Sequence, residues 1–387
     1  MTIKLNKRNK VLIFIDWFLP AYKAGGPIQS ISNLVKRLKN EIDIWIVTSN
    51  EDLGEPLKLD RELLNIWLCK DKYHVIYLDR NNRNLNKYRE ILNSNNFESI
   101  YFNSLFSIKF TLLPLWMCHK MDIKLILAPR GMLGKGALSI KPLRKKIFIQ
   151  IFKALKMHEK VLWHATDVSE KKEIKKHFGE KSTITVVPNL SSKTTEYIEK
   201  SKQARTLNLF FLSRITIKKR LLYALNILKE INKSHLINFT IIGPIDDQNY
   251  WKECQSAILK LPNHIKINYL GPIPNHKLKK ILSSQHVLFL PTQHENFGHV
   301  IVESWQNGCP VLISENTPWK NLESQKVGFN LPLENHRKFK EVIEFFSLIN
   351  QKEFNEWSYS SNKFAQSITE NHNLILQTKN IFNNSVL

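Results

Sequence analysis

The feature that most constrains this sequence is a regular alternation of short apolar segments with helical segments, beginning at residue 11. Such alternation is typical of a parallel sheet covered by helices, because parallel strands need long crossover connections. Amphipathic helices are predicted at 28–38 and 87–92. The strands predicted in the first half are 11–16, 42–48, 75–78, 99–102, 123–128, 161–164 and 184–187.

The alternation is interrupted once, at a polar segment that spans residues 191–205. After it, strands are predicted at 207–212, 239–242, 265–270, 287–290 and 310–313. A chain of 387 residues is too long for one ordinary core, so the fold class is predicted to be α/β with two doubly wound halves and a cleft between them. The predicted organisation is an N-terminal domain (1–190), a linker (191–205), a C-terminal domain (206–365) and a final helix (366–387) that packs back on the first domain.

The segment PTQHENFGHVIVE, residues 291–303, places two carboxylates around a predicted helix start. Glu295 precedes a helix that opens near Gly298 and closes at Gly308, and Glu303 lies two turns into it. The first-turn amides of a helix have no intrahelical acceptor and attract anions. A nucleotide-sugar site needs carboxylates that bind sugar hydroxyls and, beside them, amides that bind phosphate.

The net charge of +23 has three possible explanations: a lysine-rich composition, nucleic acid, or an anionic membrane surface. Basic clusters lie at 141–146, 171–176 and 218–220. No RNA-recognition motif, zinc finger or basic zipper accompanies them, so no nucleic-acid partner is expected. An anionic membrane remains a possible partner, since each basic group near such a surface contributes on the order of 1 kcal/mol.

A helix predicted at 141–157 carries apolar residues at intervals of four, namely Leu143, Ile147, Ile151 and Leu155. The basic residues around them are compatible with a helix that lies in a membrane interface. They are equally compatible with a packed helix whose polar face is rich in lysine. Packing of the apolar stripe is the favoured interpretation, with the basic rim as an electrostatic tether.

Two further observations concern the compartment. The four cysteines are scattered and each lies among apolar residues, which favours a reduced cytosolic compartment, although two disulfides remain conceivable. The longest apolar segment, 105–118, is interrupted by Lys109 and Pro114 and is too short to span a bilayer. It is expected to form a buried helix.

The stretch 291–313 resembles the retaining nucleotide-sugar glycosyltransferases of the GT-B architecture, and most of all their family four, also called glycosyl transferases group 1. The signature of that family is two glutamates separated by seven residues, as in Glu295 and Glu303. Arg214 and Lys219 resemble its phosphate-binding pair. Weaker matches are 241–244, 270–272, the glycine pair Gly25 and Gly26, 128–132, 163–166 and 187–189.

The resemblance implies catalytic roles for Arg214, Lys219 and Glu295. Glu295 would hold hydroxyls of the donor sugar, and the two cations would neutralise the departing diphosphate. Whether Lys218 or Lys219 faces the diphosphate is open. The family usually has a small residue after the catalytic lysine, whereas this chain has Arg220.

The resemblance also implies donor contacts along the helix start and in the first half. Glu303 would bind the ribose hydroxyls; the alternative interpretation, a glutamate on a solvated helix face, is less favoured because the surrounding motif is intact. The remaining donor-binding candidates are Gly25, Gly26, Asn296, Phe297, Gly298 and His299. Asp16, at the end of the first strand, is expected to orient the glycine loop.

Arg130 and His164, both at predicted strand ends, are candidates for contacts with the acceptor or the sugar. A lone histidine is more often a structural hydrogen-bond partner than a base. No metal or other cofactor is expected, because the sequence has no Asp-X-Asp motif. Asp246 and Asp247 are interpreted as solvated loop acids.

The expected function is transfer of a sugar from a nucleoside diphosphate sugar to a saccharide or lipid-linked acceptor. The expected setting is bacterial surface polysaccharide biosynthesis (capsule, O-antigen or exopolysaccharide), in the cytoplasm and peripheral at the inner face of the membrane. Two alternatives remain open. One is a sugar-nucleotide epimerase or phosphorylase of the same fold, and the other a non-enzymatic basic protein that binds lipid or nucleic acid.

Overall fold

The chain divides into two compact units. The structure is a computed structural model that describes residues 8–383. The first unit comprises the chain up to Ser192 together with the residues from Asn371 onward, and the second comprises Lys193–Glu370. The segment 193–203 contains no helix or strand and belongs to the second unit.

The first unit is built on an eight-stranded sheet in the order β10-β9-β8-β7-β1-β2-β6-β5. All neighbouring strands are parallel except the edge pair β5 and β6, which is antiparallel. A separate hairpin joins β3 to β4. The strands are β1 Lys10–Phe14, β2 Asp43–Ser49, β3 Glu51–Asp52, β4 Glu55–Pro56, β5 Leu68–Lys70, β6 Tyr73–Leu78, β7 Ser99–Asn103, β8 Lys124–Ala128, β9 Val161–Ala165 and β10 Ile184–Val186.

Helices cover both faces of this sheet, so its central strands are buried almost throughout, as parallel strands require. Local sequence sets the helix ends. Asp167, for example, caps its helix by accepting hydrogen bonds from the amides of Ser169 and Glu170 at 2.6 and 3.0 Å. The helices are α1 Gly26–Leu38, α2 Leu85–Asn93, α3 Leu113–Cys118, α4 Lys135–Leu138, α5 Pro142–Ala154 and α6 Val168–Phe178, with short 3-10 turns at Arg61–Leu63 and Met157–Glu159 and a π-helical turn at Ile108–Leu112.

The second unit contains a six-stranded parallel sheet in the order β13-β12-β11-β14-β15-β16. Its strands are β11 Thr206–Leu212, β12 Leu236–Ile242, β13 Ile265–Gly271, β14 Val287–Leu290, β15 Val311–Ser314 and β16 Gly328–Leu331. Its helices are α7 Leu221–Lys229, α8 Gln248–Ile258, α9 Asn275–Leu282, α10 His299–Gln306, α11 His336–Leu348 and α12 Gln351–Thr369, with a 3-10 turn at Ile217–Lys219.

The last helix, α13 (His372–Phe382), packs on the first unit. Ile381 and Phe382 join the core that contains the first strand, and the ring of Phe382 lies 5.6 Å from that of Tyr101. Lys124 donates a 2.6 Å hydrogen bond to the carbonyl of Asn383. Apolar packing and this bond attach the chain terminus to the first sheet.

The structure confirms the α/β class and two Rossmann-like halves, and it adds two edge strands that the sequence did not predict. β5 has only three residues, two of them exposed, so it carries no strand periodicity. β16 begins at Gly328, where a Cβ atom would lie 2.1 Å from the carbonyl oxygen of Val311. This close backbone approach depends on the glycine rather than on an apolar pattern.

Two expectations about side chains were wrong. The apolar stripe on α5 is exposed, and Phe148, Ile149 and Phe152 form the buried side of that helix instead. Cys69 is exposed, whereas Cys118, Cys254 and Cys309 are buried; all four are free thiols.

The segment 105–118 is also less buried than expected. It forms a π-helical turn followed by α3, and Ile108 and Trp116 are both exposed. Within residues 8–383 no helix combines the length and the apolar character needed to cross a membrane.

Two lysines of the polar segment 191–205 are buried and anchor it to the second unit. Nζ of Lys200 donates to the carbonyl of Gln285 at 2.8 Å and contacts Sγ of Cys309 at 2.9 Å. Nζ of Lys202 donates to the carbonyls of Ser347 and Ile349 at 3.0 and 3.3 Å, at the end of α11. The lysines thus bind carbonyl groups that no helical amide reaches.

The Lys202 ammonium makes stability depend on pH. Burial lowers its pKa to about 8 from 10.5. Between these values the unfolded chain binds more protons than the folded one, so the free energy of unfolding rises with pH in this window. We expect the free energy of unfolding of the protein minus that of Lys202→Met to be constant below pH 8 and to rise from pH 8 to 10.5. Urea titrations at several pH values measure this difference. A difference that falls over that window would contradict this assignment.

Candidate functional site

The strand order of the second sheet identifies where a ligand binds. The chain runs outward from β11 through β12 to β13, and then resumes on the other side of β11 with β14. The connections after β11 and β14 therefore leave the sheet in opposite directions and open a crevice at their carboxyl ends. Arg214 and Lys219 follow β11, and Glu295 follows β14. The topology thus gathers three of the predicted residues at one edge of the sheet.

Lys219 and Glu295 are in direct contact. Nζ of Lys219 donates to Oε1 of Glu295, and the two side chains are only 15 and 13% exposed. The loop of Glu295 is fixed to the loop of Lys219 by backbone bonds, because the amide of Gln293 donates to the carbonyl of Lys218 at 2.8 Å. Lys219, rather than Lys218, is therefore the lysine whose ammonium lies on this carboxylate.

Arg214 lies beside a different carboxylate. Its guanidinium donates to Oδ2 of Asp246 at 2.9 Å, in a pair that is 42 and 33% exposed. Asp246 follows β12, and the isolated bridge between Ile215 and Ile245 aligns the two loops. The neighbouring Asp247 caps α8 by accepting from the amides of Asn249 and Tyr250. Asp246 is thus an exposed loop acid, as expected, although it is paired with Arg214. Asp247 instead serves as the N-cap of α8.

Arg220, the residue at which this chain departs from the family pattern, has a left-handed backbone with φ of 56°. Its guanidinium lies 4.9 Å from the centre of the Tyr223 ring. A left-handed backbone costs a non-glycine residue about 1 kcal/mol or more. Only glycine avoids this cost, because it has no Cβ atom, and in this chain the cation–π contact offsets part of the strain.

Helix α10 begins after Gly298, which caps it with a left-handed backbone at φ 75°. The carbonyl of Phe297 accepts a 2.7 Å bond from the indole of Trp319. The ring of Phe297 is buried and packs against Trp319 and His299. Phe297 thus anchors the loop through its ring, while Asn296 and Gly298 flank it at the helix start. The first-turn amides of α10 present partial positive charge at this end of the helix.

Glu303 is oriented by an asparagine from another helix. Nδ2 of Asn275, at the start of α9, donates to Oε1 of Glu303 at 2.8 Å. Nδ2 of Asn307 binds the backbone carbonyl of Glu303, also at 2.8 Å. Glu303 is therefore a positioned carboxylate rather than a freely solvated one. Sequence reasoning missed Asn275 and Asp246, because neither belongs to a motif and both contacts depend on tertiary packing.

In the first unit, Gly25 caps α1 with φ of 69°, and Gly26 is the first residue of that helix. The loop before them is held by Asp52, whose carboxylate accepts from the amides of Tyr22 and Lys23 at 2.9 and 3.2 Å. The carboxylate of Asp16 instead accepts from Ser107 at 2.6 Å, and burial raises its pKa. The expectation that Asp16 orients the glycine loop was wrong; Asp52 orients it.

Arg130 is positioned by three side chains at the carboxyl ends of the first sheet. It donates to Oδ1 of Asn103 at 2.7 Å, to the hydroxyl of Tyr101 at 2.6 Å, and to Oδ1 of Asn189. Asn103 also donates to the carbonyl of Pro27 at 3.2 Å. This bond connects the arginine with the first turn of α1 and hence with the glycine loop.

His164 is the buried end of this network. Its Nε2 donates to the carbonyl of Val187 at 2.8 Å, so its Nδ1 accepts from the hydroxyl of Tyr101 at 2.8 Å. Burial, and secondarily the charge of Arg130, lower the pKa of His164 to about 3. The imidazole is therefore neutral at physiological pH, and both its nitrogens are already bonded to protein. These contacts match a structural hydrogen-bond partner.

Gly243 controls how closely the loops of Arg214 and Asp246 approach each other. Its φ is 143°, and a Cβ atom there would lie 1.9 Å from the carbonyl oxygen of Ser213. That oxygen belongs to the backbone and has no flexible side chain to move. Any residue other than glycine must separate the two loops.

Substitution tests this constraint. We expect Gly243→Ala to lower the free energy of unfolding by more than about 3 kcal/mol, since backbone overlap adds to the conformational cost. Gly271→Ala is the matched control: its φ is 69° and nothing lies within 4 Å of the added atom. It should cost only about 1 kcal/mol. Equal losses for both variants in urea titrations would refute the proposed close approach.

Among residues 8–383, no group of three or more histidine, cysteine, aspartate or glutamate side chains is arranged to hold a metal ion. The ion pairs of the site are each formed by one carboxylate and one cation.

Residues 193–364 match the family model described as glycosyl transferases group 1. This range covers nearly all of the second unit, and it includes the whole constellation around Lys219 and Glu295. The second unit thus matches the group 1 glycosyltransferase family over nearly its whole length.

Relatives extend the similarity. The uncharacterized glycosyltransferase MJ1607 of Methanocaldococcus jannaschii is 28% identical over 106 residues, which are 27% of this chain and 26% of the relative. The chain therefore matches about a quarter of that relative's length. An uncharacterized 41.2 kDa protein in the cps region of Klebsiella pneumoniae is 24% identical over 363 residues, which cover 89% of this chain and 93% of that protein.

The fold as a whole matches solved structures. The crystal structure of Anabaena HepE in complex with UDP and glucose superposes with a TM-score of 0.67 over 97% of this chain and 98% of that one, at 14% identity. This similarity shows the fold, which is GT-B with two Rossmann-like domains. The domain that matches the group 1 family is the second of these.

Proposed function

We propose that the protein is a retaining, metal-independent glycosyltransferase that moves a sugar from a nucleoside diphosphate sugar to a saccharide or lipid-linked acceptor. The observation that carries this proposal is the contact between Lys219 and Glu295 at the crevice between β11 and β14. A cation suited to phosphate thus lies next to a carboxylate suited to sugar hydroxyls, which supports this crevice as the site where a sugar–phosphate bond would break.

The positive charges of Lys219 and Arg214 are suited to stabilise the diphosphate as it leaves. When the bond between the anomeric carbon and the diphosphate oxygen breaks, negative charge develops on the diphosphate, and fixed cations lower the energy of that state. Lys219 is held in place by Glu295 before any ligand binds, and Arg214 is held by Asp246. Both cations are therefore positioned in advance, so little reorganisation is needed during the reaction.

The carboxylates of Glu295 and Glu303 are suited to accept hydrogen bonds from the uncharged sugar and ribose of the donor. Glu295 has a second oxygen to accept a hydroxyl of the sugar, and Glu303, oriented by Asn275, is placed to accept ribose hydroxyls. The helix start at Gly298 would offer backbone amides to the diphosphate. Asn296, Phe297 and His299 complete this loop.

The first domain would bind the acceptor, with Arg130 and the Gly25–Gly26 loop as its contacts. His164 would support Arg130 through Tyr101 and would not serve as the proton acceptor, because a pKa of about 3 makes it a weak base and both its nitrogens are bonded to protein. In the proposed mechanism, the acceptor attacks the face of the sugar from which the diphosphate leaves, so the anomeric configuration is retained. The acceptor hydroxyl oxygen bonds to the anomeric carbon while the diphosphate leaves. The hydroxyl proton passes to an oxygen of the leaving diphosphate.

The biological setting proposed is surface polysaccharide assembly, in the cytoplasm and peripheral at the inner face of the membrane. The relative in a cps region supports this setting. HepE, whose structure holds UDP and glucose, supports a nucleoside diphosphate sugar as donor class. The basic surface supports proximity to anionic lipid.

The proposal is tested by donor binding followed by product analysis. Among nucleoside diphosphate sugars with varied base and sugar, one should raise the melting temperature of the protein selectively. Mass spectrometry should then detect transfer to lipid-linked acceptors, also with EDTA present, and Glu295→Ala should abolish it. Stabilisation by polyanions alone, lost at high salt, would instead indicate a basic binding protein.

Two adjacent lysines provide a matched comparison. Lys219→Ala should lower kcat about 100- to 1,000-fold, since it removes a cation from the departing charge. Lys218→Ala should lower kcat less than about tenfold, because the ammonium in contact with the Glu295 carboxylate is that of Lys219, and alanine retains the Lys218 carbonyl that binds the amide of Gln293. Steady-state kinetics with the selected donor measures both. A larger loss for Lys218→Ala would reverse the assignment of the two lysines.

A further inference from the structure

Helix α5 of the first unit displays an apolar stripe to solvent. Leu143, Ile147 and Ile151 are 70, 51 and 44% exposed, and Ile140 and Leu155 extend the stripe at both ends. Monomeric proteins rarely leave large aliphatic side chains exposed in a contiguous row. The stripe therefore indicates a contact that the folded unit itself does not supply.

The stripe is not a core face that failed to find its partner, because the same helix has a separate buried face. Phe148 and Phe152 pack there, with ring centres at 6.1 Å from each other, and Phe106 lies 5.3 Å from Phe148. At 100° per residue, Phe152 lies roughly opposite Leu143 on the helix. Packing of the unit uses one side of α5 and leaves the other side free.

The exposed side is strongly basic. Residues 140–156 contain six lysines and arginines and no acidic residue. Lys141, Arg144, Lys146 and Lys156 among them are exposed. Apolar side chains on the surface of a helix, bordered by cations and by no acidic residue of that helix, match the surface of an anionic bilayer, which offers both acyl chains and negative headgroups.

The neighbouring segment extends this surface. Ile108 is 57% exposed and is followed by the exposed Lys109. It lies two residues after Phe106, whose ring packs on α5. An aliphatic residue next to a lysine thus repeats the pattern of the helix beside it.

We propose that the exposed face of α5, together with Ile108 and Lys109, docks the protein on an anionic phospholipid bilayer. This inference rests on the proposed peripheral location and names the surface responsible for it. The helix would lie in the plane of the interface, with Leu143, Ile147 and Ile151 among the acyl chains and the cations at the headgroups.

The chemistry of the face disfavours other occupants. A second copy of the chain would bring two sets of cations together, and like charges oppose that contact. Nucleic acid would satisfy the cations but leave the aliphatic stripe in water, since its binding surfaces use aromatic rings for stacking. A bilayer with anionic lipid satisfies both parts of the face at once.

Vesicle co-sedimentation tests the proposal with the full-length protein and no donor sugar. Binding is compared on vesicles of phosphatidylcholine alone and with about a third phosphatidylglycerol. The protein should bind only the second kind appreciably. Arg144→Gln with Lys146→Gln should weaken binding about 25-fold, or roughly fivefold per charge. Leu143→Ser, Ile147→Ser and Ile151→Ser together should weaken it about 100-fold.

The matched control is Lys172→Gln with Lys176→Gln, which removes the same charge from α6 of the same unit. Both lysines are exposed, but the apolar residues Ile174 and Phe178 of that helix are buried. This variant should bind nearly as well as the unmodified protein. Equal weakening by both charge variants would show that only net charge matters, and would overturn the proposed face.

Two further outcomes would also overturn it: full binding by the triple serine variant, or a dimer of the unmodified protein that this variant dissociates in analytical ultracentrifugation. The replaced side chains are exposed, so an unchanged melting temperature verifies that the variant is folded. Donor-induced stabilisation, measured separately, should be the same in all variants. Failure of docking is therefore distinguishable from failure of the proposed transfer.

Discussion

Parallel pairing of β11 with β14 is the constraint on which the candidate site depends. Because the chain leaves these two strands in opposite directions, the side chains that follow them meet at one edge although they are far apart in sequence. Lys219 and Glu295 are separated by 76 positions and still form a direct contact. The amide of Gln293 and the carbonyl of Lys218 join the two loops, so the pair has a rigid backbone support.

The two ion pairs of the site differ in burial, and this difference suggests different tasks. Lys219 and Glu295 are largely removed from water, so removing either partner would leave a buried charge without its counterion, which is costly. Arg214 and Asp246 are more exposed, so their mutual attraction is screened and contributes little to stability. An exposed arginine that is already oriented can turn towards an incoming anion at small cost.

The sequence predicted the architecture and much of the site because both rest on local patterns. Apolar runs predicted the ends of the central strands to within one to three residues, and the motif around Glu295 indicated a helix start at Gly298. Features that depend on tertiary packing were not predictable. Asn275 reaches Glu303 from another helix, and β16 pairs through a close approach at Gly328.

Helix α5 shows why periodicity alone can mislead. Its spacing predicted an apolar stripe correctly but could not tell which side of the helix faced the sheet, because the two phenylalanines offered a second apolar side. The role of Asp52 was not predictable for a similar reason, since it lies in the two-residue strand β3 and accepts hydrogen bonds from backbone amides 29 and 30 positions earlier.

The neutral imidazole of His164 has a consequence for how the first domain responds to its surroundings. With a pKa of about 3, this ring does not gain a proton when a cell acidifies by one or two pH units. The hydroxyl of Tyr101, which donates to His164, therefore keeps a fixed orientation. Arg130, which donates to that hydroxyl, keeps its position as well. The geometry around Arg130 is thereby insulated from metabolic acid stress.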